Sequence, residues 1–360
     1  MKKNICFIIE SMGGGGAQKN LYRLIKTLQK ENVSISLITF KKNEEDRFFL
    51  KKISRHCAKV PLHSNNLLMA VINNIKRINT LRKLLKNINP SVVVSFLPST
   101  NITSIISTMG LGIKILISER NDPDRQSLKI YWVILRYIFY RFSDFIICNS
   151  QNAVKSIQKI SGKSGVVYIK NFVSQKNTKI KLKRKKVILA VGRLEEQKNF
   201  KDLIISFSIL NSKIKGYSLY ILGEGSQRKM LEDLIKKLGL TKKVYLPGYV
   251  NPHPFFNSSE LYISTSIYEG VSNATIEAMH YALPIIITKN QEGMNEFLIH
   301  NYNSLIIKNS IEDITNSLWS ILNSKTLSRR LGLKARETIR KYNDKSTEDN
   351  WKEFVLDRQI

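Results

Sequence analysis

The sequence predicts an α/β protein with two domains, each built around a parallel β-sheet. Short, nearly continuous apolar runs, such as residues 91–97 and 284–288, alternate along the chain with longer segments of helical periodicity. Such runs are typical of parallel strands that helices cover on both faces. A lysine-rich linker at 174–186 lacks apolar periodicity and separates two series of these elements. With 360 residues, 42% of them hydrophobic, the chain can form a core in each domain.

The first domain is predicted over residues 1–173. It opens with a buried strand from Lys3, a glycine loop at 13–16 and an amphipathic helix over 17–30. Glycines let the backbone approach a phosphate or an acceptor closely, although such a loop occurs in many α/β proteins. The candidate ligand contacts in this loop are Gly14, Gly15 and Gly16. The later strands of the domain are predicted at 33–40, 91–97, 114–120, 145–150 and 166–172.

A basic helix is predicted over residues 66–89, where apolar residues recur every three or four positions and Ile75 lies on the apolar face. At about 100° per residue, Lys76 and Lys83 project within about 20° of each other, and Lys86 is nearby. This edge is either a solvated helix face or a surface for a lipid diphosphate and anionic headgroups.

A run of aromatic and basic residues covers 127–145 and includes Trp132, Tyr137 and Arg141. The composition suits either a buried helix or a helix at a membrane interface. Of these two positions, we expect burial.

Positive charge is concentrated in the first half of the chain. The formal net charge is +30, of which residues 1–173 carry +19, the linker 174–186 carries +7 and residues 187–360 carry +4. A lysine-rich genome would not produce this asymmetry. It indicates a polyanionic partner for the first domain, and nucleic acid, an acidic membrane surface and a phosphorylated acceptor are the candidates.

The cysteines and the hydropathy pattern exclude several classes of protein. Cys6, Cys57 and Cys148 have neither paired nor metal-ligand spacing, so neither disulfides nor a zinc site are expected. No run of about eighteen apolar residues occurs, and the apolar segment at the N-terminus lacks a small-residue cleavage site. We therefore expect a cytosolic protein.

The second domain is predicted over residues 187–340. It begins with an apolar strand and Gly192, followed by Arg193 and Lys198 ahead of a helix. Two fixed cations beside a helix N-terminus can stabilise charge that develops on a diphosphate without a metal ion. The alternative is a purely structural arginine and lysine.

The stretch 260–279 is predicted to form a strand, a sharp loop and a helix that Ser272 or Asn273 caps. Glu269 and Glu277 have seven residues between them, so one carboxylate lies in the loop and the other lies one turn into the helix. A helix N-terminus can hold a diphosphate, and a carboxylate one turn in can accept two ribose hydroxyls. An ordinary solvated helix face is the alternative.

This E-x7-E spacing, with Gly270 after the first glutamate and EAM at the second, resembles the retaining glycosyltransferases of family 4. The segment from Gly192 to Lys198 is similar to the GR-x4-K element of that family, and the resemblance extends over nearly the whole chain. It implies the GT-B fold, in which two Rossmann-like domains face each other across a cleft. The second domain would hold a nucleotide sugar and the first an acceptor, and transfer would retain configuration and need no metal or other cofactor.

The resemblance also implies roles for individual residues. Family members often carry a histidine at the position of Arg120; the arginine can serve the donor phosphates, but the histidine's proposed role is then unfilled. Asp122-Pro123-Asp124 spells the D-x-D of metal-dependent glycosyltransferases of another fold, but its context is wrong, and no metal site is predicted. The catalytic candidates are Glu269, Arg193, Lys198 and Arg120. The donor-binding candidates are Gly192, Glu277, Gly270, Val271, Ser272, Asn273, Tyr249, Val250 and Gly225, and Glu119 joins the three glycines on the acceptor or phosphate side.

The sequence therefore predicts a hexosyl- or N-acetylhexosaminyltransferase that uses a UDP-sugar and extends a lipid-linked oligosaccharide. It would work at the inner face of the cytoplasmic membrane, bound to its anionic surface, and would not bind nucleic acid. Residues 341–360 would form a helix that crosses back to the first domain. A soluble acceptor is the alternative within the same fold. A nucleic-acid-binding protein would use the charge but lacks a recognition motif, and a Rossmann dehydrogenase would need a third glycine that GGGGAQKN lacks.

Overall fold

The computed structural model describes residues 2–41, 46, 48–60, 67–121, 123–124, 130–173, 184–342 and 344–357. The first elements in chain order are β1 Lys3–Ile9, α1 Gly16–Leu28, β2 Val33–Thr39, β3 Ser54–Cys57, α2 Leu67–Ile88, β4 Val92–Phe96, α3 Pro98–Thr108, β5 Lys114–Glu119, α4 Ile130–Phe139, β6 Phe145–Cys148, α5 Gln151–Ser161 and β7 Val166–Tyr168. The later elements are β8 Val187–Val191, α6 Phe200–Leu210, β9 Ser218–Leu222, α7 Arg228–Lys237, β10 Val244–Gly248, α8 His253–Ser258, β11 Leu261–Ser264, α9 Asn273–His280, β12 Ile285–Thr288, β13 Leu305–Ile307, α10 Ile311–Asn323, α11 Lys325–Arg340 and α12 Lys345–Leu356.

The chain divides into two compact units. The first unit comprises Met1–Phe172 together with Lys345–Ile360, and the second comprises Val173–Asp344. Helix α12 therefore belongs to the first unit, although it follows the second along the chain.

The first unit contains a parallel sheet with the strand order β3-β2-β1-β4-β5-β6-β7. Side chains alternate between its two faces. Ile5, Phe7 and Ile9 pack in a cluster with α1 and α12, whereas Cys6 and Ile8 pack in another cluster with α2, α3 and α5. Both faces are covered, which explains why the strands are nearly continuous apolar runs.

The second unit contains a parallel sheet with the strand order β10-β9-β8-β11-β12-β13. Leu189 packs on the opposite face from its neighbours Ile188 and Ala190, and helices cover both faces. The predicted α/β class with two parallel sheets is confirmed. Strand β3 and helix α3 had no counterpart among the sequence predictions.

The predicted apolar face of α2 is confirmed at Leu81 and Leu85 but is wrong at Ile75. Ile75 is 52% exposed, whereas Asn73 and Arg77 lie on the buried side together with Leu81 and Leu85. The Arg77 guanidinium lies 5.5 Å from the centre of the Phe40 ring, a contact that a local apolar pattern cannot anticipate.

Two further predictions were wrong. Helix α4, expected to be buried, exposes five large apolar side chains on one side, namely Ile130, Val133, Ile134, Tyr137 and Ile138.

Arg184, expected in an exposed linker, is part-buried and donates hydrogen bonds to the carbonyls of Tyr281 and Ala282 at 2.8 and 3.0 Å. These carbonyls follow the end of α9, where a helix favours positive charge. Linker residues 174–183 lie outside the described residues.

Trp351 joins α12 to the core of the first unit. Its side chain is 1% exposed and its ring stacks on Phe96 with the ring centres 6.1 Å apart. The guanidinium of Arg120 lies 5.4 Å from the Trp351 ring and 5.3 Å from that of Phe96, so both aromatic rings contact one cation.

We expect the Trp351→Ala variant to lose about 3–5 kcal/mol of unfolding free energy, because truncation leaves a cavity and removes both ring contacts. Denaturant unfolding followed by circular dichroism measures this loss. Trp319, which is 41% exposed on α10, supplies the matched control. Equal losses in Trp351→Ala and Trp319→Ala would contradict the anchoring role of Trp351.

Candidate active site

The strand order of the second unit identifies the edge at which a ligand would bind. The chain proceeds outward from β8 to β9 and β10, then returns to the other side of β8 with β11. Open α/β sheets bind ligands beyond the carboxyl ends of the strands at this reversal. The loops that follow β8 and β11 carry Arg193, Lys198 and Glu269, so these predicted residues follow the two strands that flank the reversal.

Lys198 and Glu269 form an ion pair. The ammonium of Lys198 donates to one carboxylate oxygen of Glu269 at 2.5 Å, and the hydroxyl of Ser266 donates to the other oxygen at 3.1 Å. The side chains are only 13% and 18% exposed, so water screens this pair less than a surface pair. The pair positions a carboxylate and a cation at the same point.

Backbone hydrogen bonds tie together the two loops that carry this pair. The Ile267 N–H donates to the Gln197 carbonyl at 2.8 Å, and the Gln197 side chain donates to the Tyr268 carbonyl at 2.9 Å. The Thr265 hydroxyl donates to the Lys198 carbonyl at 2.9 Å. Each of the two loops thus donates hydrogen bonds to the other, which fixes the position of Lys198 relative to Glu269.

Gln291 supports the same loop from the other side, and sequence reasoning assigned it no role. It is fully buried and donates to the Ser264 carbonyl at 3.0 Å and to the Thr288 hydroxyl at 3.2 Å. The Ser264 hydroxyl donates to the side-chain amide oxygen of Gln291 at 3.2 Å. It also lies 3.4 Å from the Ser266 hydroxyl, which donates to Glu269. A buried glutamine among strand-end hydroxyls has no local sequence signature.

Backbone contacts at glycines set the spacing of these loops. Gly223 has a φ of +148°, and a Cβ atom there would lie 1.9 Å from the Gly192 carbonyl oxygen. A Cβ atom at Gly293 would lie 2.5 Å from the Gly270 carbonyl carbon. Only glycine fits these two positions. Gly225 makes the same kind of contact with Leu194, at 2.4 Å from its carbonyl oxygen.

Helix α9 begins where the Glu269 loop ends. Ser272 is its N-cap, and the Ser272 hydroxyl accepts a hydrogen bond from the Thr275 N–H at 3.4 Å, so of the two predicted caps the serine is the one used. Met294 contacts the start of the helix, since its sulfur accepts from the Ser272 N–H at 3.3 Å. Val271 and Glu277 are buried and Asn273 is half-buried.

Arg193 is exposed in the loop that follows β8, which also carries Lys198. Burial raises the pKa of the neighbouring Glu195 carboxyl. The hydrogen bonds from Ser226 and the charge of Arg193 together outweigh burial, so the pKa of Glu195 lies below its usual value. Tyr249 and Val250 follow β10 at the same edge of the sheet and are 46% and 39% exposed. The predicted donor-binding residues thus follow β8, β9, β10 and β11 at one edge.

The structure places Arg120 and Glu119 inside the first unit. Arg120 is 8% exposed and donates to the Asn171 side-chain carbonyl at 3.0 Å, and burial lowers the pKa of its guanidinium to about 10. Glu119 is fully buried, accepts a hydrogen bond from the Tyr140 hydroxyl and lies 3.8 Å from Arg136. Burial raises the pKa of Glu119. Both residues hold internal partners, and their contacts with a substrate remain predictions.

The glycine loop of the first unit lies at the equivalent reversal, because β1 and β4 are neighbours from which the chain leaves in opposite directions. Gly14 and Gly16 are exposed and Gly15 is half-buried. Leu97, which follows β4, has a φ of +79° and precedes Pro98 at the start of α3. A positive φ at a leucine is uncommon and identifies a tightly constrained turn.

The described part of the chain contains neither a cluster of metal ligands nor a membrane-spanning helix. No group of three or more histidine, cysteine, aspartate or glutamate residues within it is arranged to hold a metal ion. No helix within it is long and apolar enough to cross a bilayer. Asp122 of the D-x-D sequence lies outside the described residues.

We expect Gln291→Leu to lose about 1–3 kcal/mol of unfolding free energy, because it leaves the buried Ser264 and Thr288 groups without their partner. Gln158 lies exposed on α5, so Gln158→Leu should change the value by less than about 0.5 kcal/mol. Denaturant unfolding of both variants measures the difference. If the two variants are equally stable, the network around Gln291 does not hold the loop.

Comparisons with known proteins agree with this architecture. Residues 14–176 match the model of Glycosyltransferase Family 4, and residues 167–338 match that of Glycosyl transferases group 1. A Campylobacter jejuni protein named GalNAc-alpha-(1->4)-GalNAc-alpha-(1->3)-diNAcBac-PP-undecaprenol alpha-1,4-N-acetyl-D-galactosaminyltransferase is 24% identical, over 98% of each chain. A second protein of that organism, N-acetylgalactosamine-N,N'-diacetylbacillosaminyl-diphospho-undecaprenol 4-alpha-N-acetylgalactosaminyltransferase, is 27% identical over 85% of this chain and 89% of its own.

Among solved structures, Anabaena HepE in complex with UDP-glucose superposes with a TM-score of 0.77 at 15% identity, over 99% of this chain and all of its own. This likeness shows the fold. Two family models that together span residues 14–338, and a matching two-sheet architecture, identify the chain as a glycosyltransferase of the family 4 and group 1 type with the GT-B fold.

Proposed function

We propose that the protein is a retaining, metal-independent glycosyltransferase that moves a hexose or N-acetylhexosamine from a UDP-sugar to a polyprenyl-diphosphate-linked glycan. The product would enter a bacterial surface polysaccharide or a glycoprotein glycan. The names of the two Campylobacter relatives, which refer to diphospho-undecaprenol acceptors, support the acceptor class. HepE, which shares the fold and was solved with UDP-glucose, supports the donor class.

The observation that carries the proposal is the arrangement of Arg193, Lys198 and Glu269 at the strand reversal. Breaking the bond between a sugar and a nucleoside diphosphate develops negative charge on the leaving diphosphate. Lys198 is fixed by its pair with Glu269 at 2.5 Å, and Arg193 is exposed in the same loop segment. Fixed cations that meet growing charge lower the barrier without reorganisation at the moment of reaction. They also supply the neutralisation that a metal ion supplies in other transferases.

The other residues proposed to contact the donor lie at the same carboxyl-end edge of the second sheet. The start of α9 offers backbone N–H groups and a partial positive charge to the diphosphate. Glu277, one turn into α9, would accept the ribose hydroxyls, and Tyr249 and Val250 would flank the base. Glu269 would then exchange part of its contact with Lys198 for contact with the transferred sugar.

The acceptor would bind the first unit, whose glycine loop follows β1 and whose charge is strongly positive. Lys76, Lys83 and Lys86 are all exposed on α2, as a surface for a lipid diphosphate or anionic headgroups requires. We place the enzyme on the inner face of the cytoplasmic membrane, where UDP-sugars and lipid-linked acceptors meet. A soluble acceptor is the alternative within the same fold.

The direct test is a donor screen on a polyprenyl-diphosphate-linked acceptor, with product mass and anomeric configuration determined by mass spectrometry and NMR. We expect transfer from one UDP-sugar with retention, and undiminished activity in EDTA. Inversion of configuration would exclude the retaining assignment. Loss of activity in EDTA with recovery in Mn²⁺ would exclude metal independence, and transfer only to soluble acceptors would favour the alternative.

We expect Arg193→Ala and Lys198→Ala each to lower kcat by roughly 10²–10³-fold, because both cations meet charge that grows in the transition state. Glu277→Ala should instead raise the donor KM, because ribose contacts are the same in ground and transition states. Steady-state kinetics with varied donor separates the two effects. Lys201, on the first turn of α6 and exposed, supplies a control cation that should tolerate replacement by alanine. Unchanged turnover in both cation variants would remove the phosphate assignment.

Replacing Lys76, Lys83 and Lys86 together by glutamate should raise the KM for a lipid-linked acceptor and leave the donor KM unchanged. Each cation near an acidic surface contributes on the order of 1 kcal/mol, and salt screens it beyond about 10 Å at 0.1 M. Kinetics with each substrate varied in turn measures both constants. If the triple variant shows normal acceptor kinetics, these lysines are only a solvated helix face.

A further inference from the structure

We propose that the exposed side of α4 inserts into the interfacial layer of an anionic lipid bilayer. This surface, called the α4 apolar face below, consists of Ile130, Val133, Ile134, Tyr137 and Ile138, with exposures of 72%, 44%, 53%, 56% and 43%. Phe142, in the short 3₁₀ turn that follows the helix, is 52% exposed. Such a concentration of exposed apolar side chains on one helix indicates an interaction surface.

The α4 apolar face is not required for the core. The spacing 130, 133, 134, 137 and 138 follows one side of a helix of 3.6 residues per turn. The other side supplies Trp132, Leu135 and Phe139, which pack against the core cluster on that face of the first sheet. A helix that is apolar all round is normally enclosed by protein. Here one half packs on the core, and the other half is exposed in the described structure.

Positive charge accompanies this apolar surface. The Arg141 guanidinium lies 5.7 Å from the centre of the Tyr137 ring, at the end of the α4 apolar face. Residues 1–173 carry +19 in all. Arginine can keep its charged head at a phosphate while its stem lies along apolar neighbours. Basic residues combined with exposed aliphatic and aromatic side chains are the pattern of a helix that lies in a membrane interface.

The α4 apolar face belongs to the same helix layer as the lysines of α2. Helix α3 packs against both α2 and α4. The outer side of α2 adds Val71 and Ile75, each about half exposed, beside Lys76. Apolar and basic side chains are thus exposed on two helices of one layer.

Anionic lipid is the occupant that the charges favour. A second copy of this chain would bring another +19 against the same surface, and like charges oppose that association. Nucleic acid would match the charge but offers little to accommodate exposed isoleucines. A bilayer supplies both negative headgroups and an apolar layer beneath them.

This inference deepens the proposed function, because a surface that holds the enzyme on a bilayer would present it to a lipid-linked acceptor. The inference that α4 binds a bilayer does not require the proposed function. Only the reason for that binding, access to a lipid-linked acceptor, rests on it. Vesicle binding can be measured without any sugar, so the two proposals can fail separately.

The test is co-sedimentation of the full-length chain with phosphatidylcholine vesicles that contain about 30% phosphatidylglycerol, at physiological salt. The variant Ile134→Asp with Ile138→Asp should bind at least about tenfold more weakly, because each charge opposes insertion. Ile209→Asp with Leu333→Asp is the matched control, since both residues are 50% exposed on helices of the second unit. It should bind like the wild type. Thermal unfolding should be similar for both double variants, and Ile134→Ser with Ile138→Ser replaces the aspartates if they impair folding.

Three outcomes would overturn the inference. In the first, the α4 variant sediments with vesicles as the wild type does, and in the second, the wild type does not bind vesicles. A wild-type dimer that the α4 variant converts to a monomer, with unchanged vesicle binding, would assign the face to a second copy. Transfer to a short-chain, water-soluble lipid diphosphate should survive in the α4 variant. If the wild type transfers no sugar to that acceptor, the proposed function fails while the vesicle result still stands.

Discussion

Close contact between backbone segments sets the geometry of the candidate active site. Gly223 and Gly293 leave no space for a side chain against Gly192 and Gly270, respectively. The loops after β8 and β9 are thereby fixed at one spacing, and the loops after β11 and β12 at another. Because main-chain contacts have few alternative arrangements, they fix the side chains of the candidate site without the help of a ligand. Preorganisation of this kind is what electrostatic stabilisation of a transition state requires.

The Lys198–Glu269 pair depends on that frame. An exposed lysine and glutamate would gain little from meeting, because side-chain entropy and screening offset the attraction. Here the hydrogen bonds of Gln197, Thr265 and Ser266 order the pair, and its low exposure limits screening. The pair is neutral as a unit, and the exposed Arg193 adds a cation at this edge whose charge also acts on Glu195. A diphosphate bound as proposed would therefore meet the exposed Arg193 and a lysine that an adjacent carboxylate already orients.

The sequence was sufficient where a local pattern determines structure. The strand runs, the start of α9 at Ser272 or Asn273 and the order of the loop residues around Glu269 all depend on neighbours within a few positions. It was insufficient where distant residues decide the outcome. Arg120 is enclosed by Phe96 and by Trp351, which lies more than 200 positions away, and Gln291 bonds to strand β11, which precedes it by 27 positions. On α2, Arg77 is buried in contact with Phe40, which lies 37 positions before it. None of these partners can be read from the periodicity of the element that carries the residue.

The two segments of the chain that flank the basic linker differ in charge in the way that the proposed substrates differ. Residues 187–360, which comprise most of the second unit together with α12 of the first, carry +4. A low net charge suits a segment that would bind a soluble, charged nucleotide through a few placed cations and then release it. Residues 1–173 carry +19, most of it outside the candidate site. Diffuse charge of this size acts over about a Debye length and attracts an anionic surface without fixing an orientation. The α4 apolar face acts only on contact, so it can determine which side of the unit meets the bilayer. Attraction by charge and orientation by apolar insertion would therefore be separate contributions. The exposed side of α4 would orient the unit on the bilayer, while the other side of the helix still packs on the core.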